Sequence, residues 1–105
     1  MHFVKATDEE NLPRRGVRQV EFSFAGMSRK VFLVRMDKEF FVLSPTCSHL
    51  GCLVNWNYLT REFDCPCHGG RYDMAGEVIG GPPPKPLTRL PYEIKKGFLY
   101  VGMRA

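Results

Sequence analysis

The chain has no long apolar run. Its longest, Val31–Val34, Phe40–Leu43 and Phe98–Val101, are four residues each, far short of the roughly 20 that a membrane-spanning helix needs. No signal-peptide core follows Met1, so these residues are expected to be soluble. Convincing helical periodicity, internal repeats and low-complexity linkers are also missing. Charge is in slight positive excess, 15 Lys and Arg against 11 Asp and Glu. It is scattered over Arg14, Arg15, Arg18, Arg29, Lys30, Lys95 and Lys96 among others. No run reaches the roughly 5–8 basic residues of a nucleic-acid patch, and no nucleic-acid partner is expected. A solvated surface accounts for the charge. Steering of an acidic protein partner is the sharper alternative, and nothing in the sequence selects it.

What is present is a β pattern in a chain of 105 residues, enough for one domain with one real core. Residues 1–16, with Asp8, Glu9, Glu10, Pro13 and Gly16, read as an irregular lead-in. Alternation from Val17 through Val20, Phe22 and Phe24 predicts a strand ended by Ala25-Gly26. Arg29–Met36 and Phe40–Leu43 continue it as an antiparallel meander, turning at Asp37-Lys38-Glu39. Short strands are expected at Leu53–Trp56, Arg61–Asp64 and Gly76–Ile79. Gly80-Gly81-Pro82-Pro83-Pro84-Lys85-Pro86 is a stiff extended loop, since its prolines lack the N–H that a ladder needs. Leu87–Lys95 and Phe98–Met103 close the chain as a hairpin over Lys96-Gly97. The fold class is all-β with antiparallel sheets. The outer strands (17–44 and 87–103) are expected to form one sheet system, interrupted by a small lobe.

The chemistry is concentrated in two stretches. Cys47-Ser48-His49-Leu50-Gly51-Cys52 and Cys65-Pro66-Cys67-His68-Gly69-Gly70-Arg71-Tyr72-Asp73 hold all four cysteines and two of the three histidines. The third, His2, stands near the terminus and is read as exposed and without a role. Three arrangements compete for the cysteines and histidines. Two structural disulfides can be drawn in three ways, but leave the histidines idle. A tetrahedral zinc on Cys47-x-His49 and Cys65-x-x-His68 leaves two cysteines over. A [2Fe–2S] cluster with two cysteines on one iron and two histidines on the other gives every one of the six residues a task.

The paired motif Cys-x-His-Leu-Gly-Cys and Cys-x-Cys-His-Gly-x-x-Tyr resembles the Rieske iron–sulfur proteins of cytochrome bc complexes. Gly81-Pro82-Pro83-Pro84 is similar to the proline loop those proteins place beside the cluster. The resemblance implies a Rieske-like fold, with a cluster-binding lobe at residues 45–86 set into a larger base of residues 1–44 and 87–105. It implies one [2Fe–2S] cluster with Cys47, His49, Cys65 and His68 as metal ligands. It also implies a disulfide between Cys52 and Cys67, closing a loop of about 15 residues and contributing about 3 kcal/mol by loop entropy. Such a bridge points to an oxidising compartment, the periplasm or the outer face of the cytoplasmic membrane.

The same resemblance assigns a function. The chain is expected to accept an electron, coupled to a proton, from quinol and pass it to a cytochrome, with cytochrome b and c-type subunits as partners. A Rieske subunit or ferredoxin of a soluble oxidoreductase, such as an arsenite oxidase, is the alternative. His68 and His49 are the groups expected to contact quinol and couple the proton, each ligating through one ring nitrogen and leaving the other for exchange. Leu50 is an apolar contact at the docking surface or simple loop packing. Tyr72 is expected to donate from its hydroxyl to Cys47 sulfur. Gly70 stands where high-potential members carry a serine whose hydroxyl donates to the cluster, which implies a lowered potential and favours menaquinol over ubiquinol. Pro83 belongs to the loop covering the cluster. Members of bc complexes place a membrane helix and hinge before this head. The expectation is therefore a head domain whose parent protein is membrane-anchored.

Overall fold

The computed structural model describes residues 1–47 and 51–104. Among them there is no α-helix, only a single 3-10 turn at Glu9–Asn11. The strands are β1 (His2–Asp8), β2 (Gly16–Phe24), β3 (Met27–Met36), β4 (Glu39–Leu43), β5 (Asn55–Asn57), β6 (Glu62–Asp64), β7 (Arg71–Tyr72), β8 (Val78–Gly80), β9 (Arg89–Leu90), β10 (Tyr92–Lys95) and β11 (Phe98–Met103). They form three antiparallel sheets, β1-β11-β10, β2-β3-β4-β9 and β5-β6-β7-β8. Two compact units result: Met1–Leu43 with Arg89–Ala105, and Ser44–Thr88.

The first unit is the base. Its meander β2-β3-β4 follows the alternation read from the sequence, with Val20 opposite Val31 and Leu33 opposite Val42. Ala25 and Gly26 both take positive φ, 54° and 74°, the backbone that a two-residue hairpin loop needs to match strand twist. Lys96 and Gly97 do the same between β10 and β11. Val31, Leu33, Val42, Leu99, Val101 and Ala6 make the core of this unit. Each fully buried Val or Leu there contributes about 1.5–3 kcal/mol.

The base corrects three expectations. Residues 2–8 are not an irregular lead-in but strand β1, paired to β11 from His2↔Met103 to Asp8↔Phe98. The acidic and proline signals lie at its end, and what recruits its own weak pattern is the free edge of β11. His2 on it is exposed, its ring 6.2 Å from that of Phe24. Leu87–Lys95 is not one strand. Pro91 splits it into β9, which pairs with β4, and β10, which pairs with β11. The outer strands accordingly form two sheets rather than one.

The second unit, residues 44–88, is a lobe with its own sheet. Trp56 lies opposite Phe63 and Phe63 opposite Tyr72, with the Trp56 and Phe63 rings 4.7 Å apart. Val54, Phe63, Tyr72 and Leu87 are buried. The first strand of the lobe is displaced from its expected place at 53–56. Leu53 instead forms a lone bridge with Thr46, and the strand begins at Asn55. The turn after it is built by Asn57, whose Oδ1 accepts from the Leu59 and Thr60 amides at 3.0 and 3.3 Å. The strand expected at 76–79 lies at Val78–Gly80, because Asp73–Glu77 closes as a turn, with Gly76 N donating to Asp73 O at 2.9 Å.

Candidate metal centre

Both cysteine stretches are tied together at their ends. The first is closed by the Thr46–Leu53 bridge, by Cys47 N donating to Cys52 O at 2.7 Å, and by Val54 N donating to Pro45 O at 2.8 Å. The second joins β6 to β7 and is closed by Cys65 N donating to Gly70 O at 2.8 Å. Beside it, Arg71 donates to Glu62 through Nε at 2.9 Å and Nη2 at 3.1 Å. Hydrogen bonding from this guanidinium lowers the Glu62 carboxyl pKa and raises that of Arg71. The pair clamps the two strands that carry the loop.

The cysteines fall into two kinds. Cys52 and Cys67 are joined as a disulfide across a separation of 15 residues. Cys47 and Cys65 are outside that disulfide and buried, 3% and 4% exposed. Cys65 Sγ lies within 4.8 Å of the sulfurs of both Cys52 and Cys67. Those two are oxidised and offer no thiolate, the form that binds metal, so this trio is not a ligand set. Of the four cysteines, Cys47 and Cys65 are the two that can supply a thiolate.

Around these two cysteines the structure is tight. Tyr72 is fully buried and its Oη lies 3.2 Å from Cys47 Sγ, the contact expected from the sequence. Either atom can donate in this contact, and the hydroxyl is the donor wherever Cys47 is a thiolate. His68 follows Cys67 in the second loop and is exposed. His49 and Leu50 lie outside the described residues. Gly70 and Pro83 are buried against each other: a Cβ at Gly70 would stand 2.6 Å from Pro83 Cγ and 3.4 Å from Cys65 Cβ. In the sequence Gly81 stands only as part of the proline loop, with no role of its own. It has φ +82°, and a Cβ there would come within 2.7 Å of Gly69 O and Gly70 Cα. The signal was available in the glycine pairs Gly69-Gly70 and Gly80-Gly81, since two backbones in contact need residues without side chains.

These residues fit an iron–sulfur cluster. Two thiols are sheltered from water and spared by the disulfide, and a histidine shares the second loop with Cys65. The arrangement is an all-β scaffold that keeps two buried cysteines available to a metal cluster.

The Rieske [2Fe-2S] domain model matches residues 2–91, and the chain belongs to that family, whose members hold a [2Fe–2S] cluster. It is 44% identical over 79 residues to the menaquinol:cytochrome c reductase iron-sulfur subunit of Bacillus subtilis (strain 168), covering 71% of this chain and 47% of the relative. It is 45% identical over 60 residues to the cytochrome b6-f complex iron-sulfur subunit of Chlorobaculum thiosulfatiphilum, covering 57% and 33%. The chain thus spans half or less of the length of these relatives. Among solved structures it is similar to the plasma membrane Rieske protein of Synechocystis PCC 6803, with TM-score 0.70, 25% identity and coverage of 95% and 99%. A chain of a hyperthermophilic respiratory complex III gives TM-score 0.65 at 36% identity, covering 90% and 72%. No helix among the described residues is long and apolar enough to cross a membrane.

Proposed function

We propose that this chain is the one-electron carrier of a quinol-oxidising cytochrome complex, with Ser44–Thr88 as its cluster-binding lobe. Cys47 and Cys65 would hold one iron, and His49 and His68 the other. When bound, the cluster supplies a one-electron acceptor whose potential is raised by replacing two thiolates with neutral imidazoles. The observation that carries the reading is the division of the four cysteines into one disulfide and two buried cysteines outside it. It leaves the ligand number that a two-cysteine, two-histidine centre requires.

The residues of the chain divide the work. Burial of Cys47 and Cys65 would keep water from the thiolates, and the Tyr72 hydroxyl, 3.2 Å from Cys47 Sγ, would donate to it. The Cys52–Cys67 bridge holds the two loops in one register. His68, exposed on the second loop, is the group that would hydrogen-bond a quinol hydroxyl and take its proton, with His49 its more screened partner. Gly70 brings no hydroxyl to the site, which lowers the potential and suits menaquinol. The name of the Bacillus relative supports that choice. A cytochrome is the electron acceptor in this reading, and the names of the relatives favour it over a soluble oxidoreductase. The disulfide supports the periplasm, or the outer face of the membrane, as the compartment.

The test is the midpoint potential of the iron-loaded protein measured against pH. Proton coupling at the histidines requires a potential that falls as pH rises through the alkaline range. A flat profile would overturn the role of His68 and His49, and a colourless protein carrying zinc would overturn the cluster itself.

A further inference from the structure

Three glycines meet where the proline loop touches the second cysteine loop, and each is glycine for a different reason. Gly69 has φ +73° and open space around its missing side chain, so its conformation demands glycine. Gly81 has both a positive φ and backbone contacts. Gly70 has no positive φ. Space alone excludes a side chain there, and the atoms that fill it are Pro83 Cγ at 2.6 Å and Cδ at 3.1 Å from where a Cβ would sit.

Neither side can yield easily. The Gly70 carbonyl accepts from Cys65 N at 2.8 Å, which ties position 70 to a candidate iron ligand. Pro83 is the buried member of Pro82-Pro83-Pro84. Its ring is closed onto the backbone and has no rotamer that swings aside. The loop cannot retreat as a whole without breaking the contact of Gly81 with Gly69 and Gly70.

We propose that Pro83 is a positioning residue: its ring occupies the volume of a side chain at position 70 and so controls whether that position can carry a hydroxyl donor beside the cluster. Gly70 and Pro83 act as one interlocked unit. A side chain placed at 70 alone lifts the proline loop away from Cys65. A side chain placed at 70 together with a smaller residue at 83 fits. The control of potential rests on the cluster reading above, whereas the steric interlock does not.

The test compares the iron-loaded parent with Gly70→Ala, Gly70→Ser, Pro83→Ala, and each position-70 variant combined with Pro83→Ala. Thermal unfolding and voltammetry are read on all of them. Gly70→Ala and Gly70→Ser should each lower Tm, and should lower it markedly less when Pro83 is already Ala, a non-additivity expected of residues in contact. Gly70→Ser should raise the midpoint potential more in the Pro83→Ala background than alone. A Gly70→Ser that folds only with Pro83→Ala supports the interlock. Equal Tm losses in both backgrounds, or an unchanged Tm in Gly70→Ala, overturn it. Equal potential shifts in both backgrounds overturn the control of the donor. A colourless parent overturns the cluster reading and leaves the thermal comparison standing.

Discussion

In a Cys52→Ala/Cys67→Ala variant, the loops 47–52 and 65–70 lose the covalent link that closes 15 residues of chain. The unfolded chain gains the entropy that this closure removed, about 3 kcal/mol for a loop of this length. Packing adds little, since Cys67 is exposed and Cys52 only half-buried, and losing such partly solvated sulfurs costs less than about 1 kcal/mol. The folded lobe still brings the loop bases together through the Thr46–Leu53 bridge and the Trp56–Phe63 register. The native structure should therefore persist while its margin shrinks. For a domain of this size each kcal/mol moves Tm by roughly 4–8 °C, so Tm should fall by about 12–24 °C. Circular dichroism melts of the double variant and the oxidised parent measure it directly. Guanidinium titrations should show a larger m-value for the variant, because its unfolded state is less compact. A variant that melts within about 2 °C of the parent would refute the entropic account. The bridge would then be a passenger on loops already held by the sheet.

Three further outcomes are expected. Tyr72→Phe removes the donor 3.2 Å from Cys47 Sγ and should lower the midpoint potential of the loaded protein, because the donor favours the more negatively charged reduced state; an unchanged voltammogram would count against this contact as a tuning bond. Gly81→Ala forces a Cβ to within 2.7 Å of Gly69 O at φ +82° and should cost about 1–3 kcal/mol, read as a lower denaturation midpoint. The Glu62 carboxyl is held below its ordinary pKa first by its hydrogen bond to Arg71. Its folded value lies below its unfolded one, so its stabilisation is present above the unfolded pKa and fades as pH falls through the folded pKa. In Arg71→Gln an NMR titration of Glu62 should move up towards an ordinary carboxylate value, and an unmoved curve would show that the pairing does not exist in solution.

The strands of the meander were legible because alternation at Val17–Phe24 and the apolar run Val31–Val34 are local signals that a pleated sheet amplifies. β1 was not legible. His2–Asp8 offers only Val4 and Ala6 as alternating apolar positions, and it becomes a strand because β11 has an edge to be paired. Nor could the division of residues 87–95 between two sheets be read locally. Pro91 marks a break, but the partner of each half is chosen by strands far away in sequence.

At the site, the residue types and spacings narrowed the chemistry to disulfides, a zinc centre or an iron–sulfur cluster. Iron–sulfur and zinc centres need thiolate and imidazole at short separations, and only the stretches 47–52 and 65–73 supply them. What the types left open was which sulfurs are free. Four thiols are chemically alike in a sequence, and the folded loops bring Cys52 and Cys67 into bonding range while leaving Cys47 and Cys65 buried outside the disulfide. The meaning of Gly70 changed in the same way. As a letter it is a missing hydroxyl. In the folded lobe it is the space taken by the ring of Pro83, because packing excludes by volume and volume is set by which loops meet.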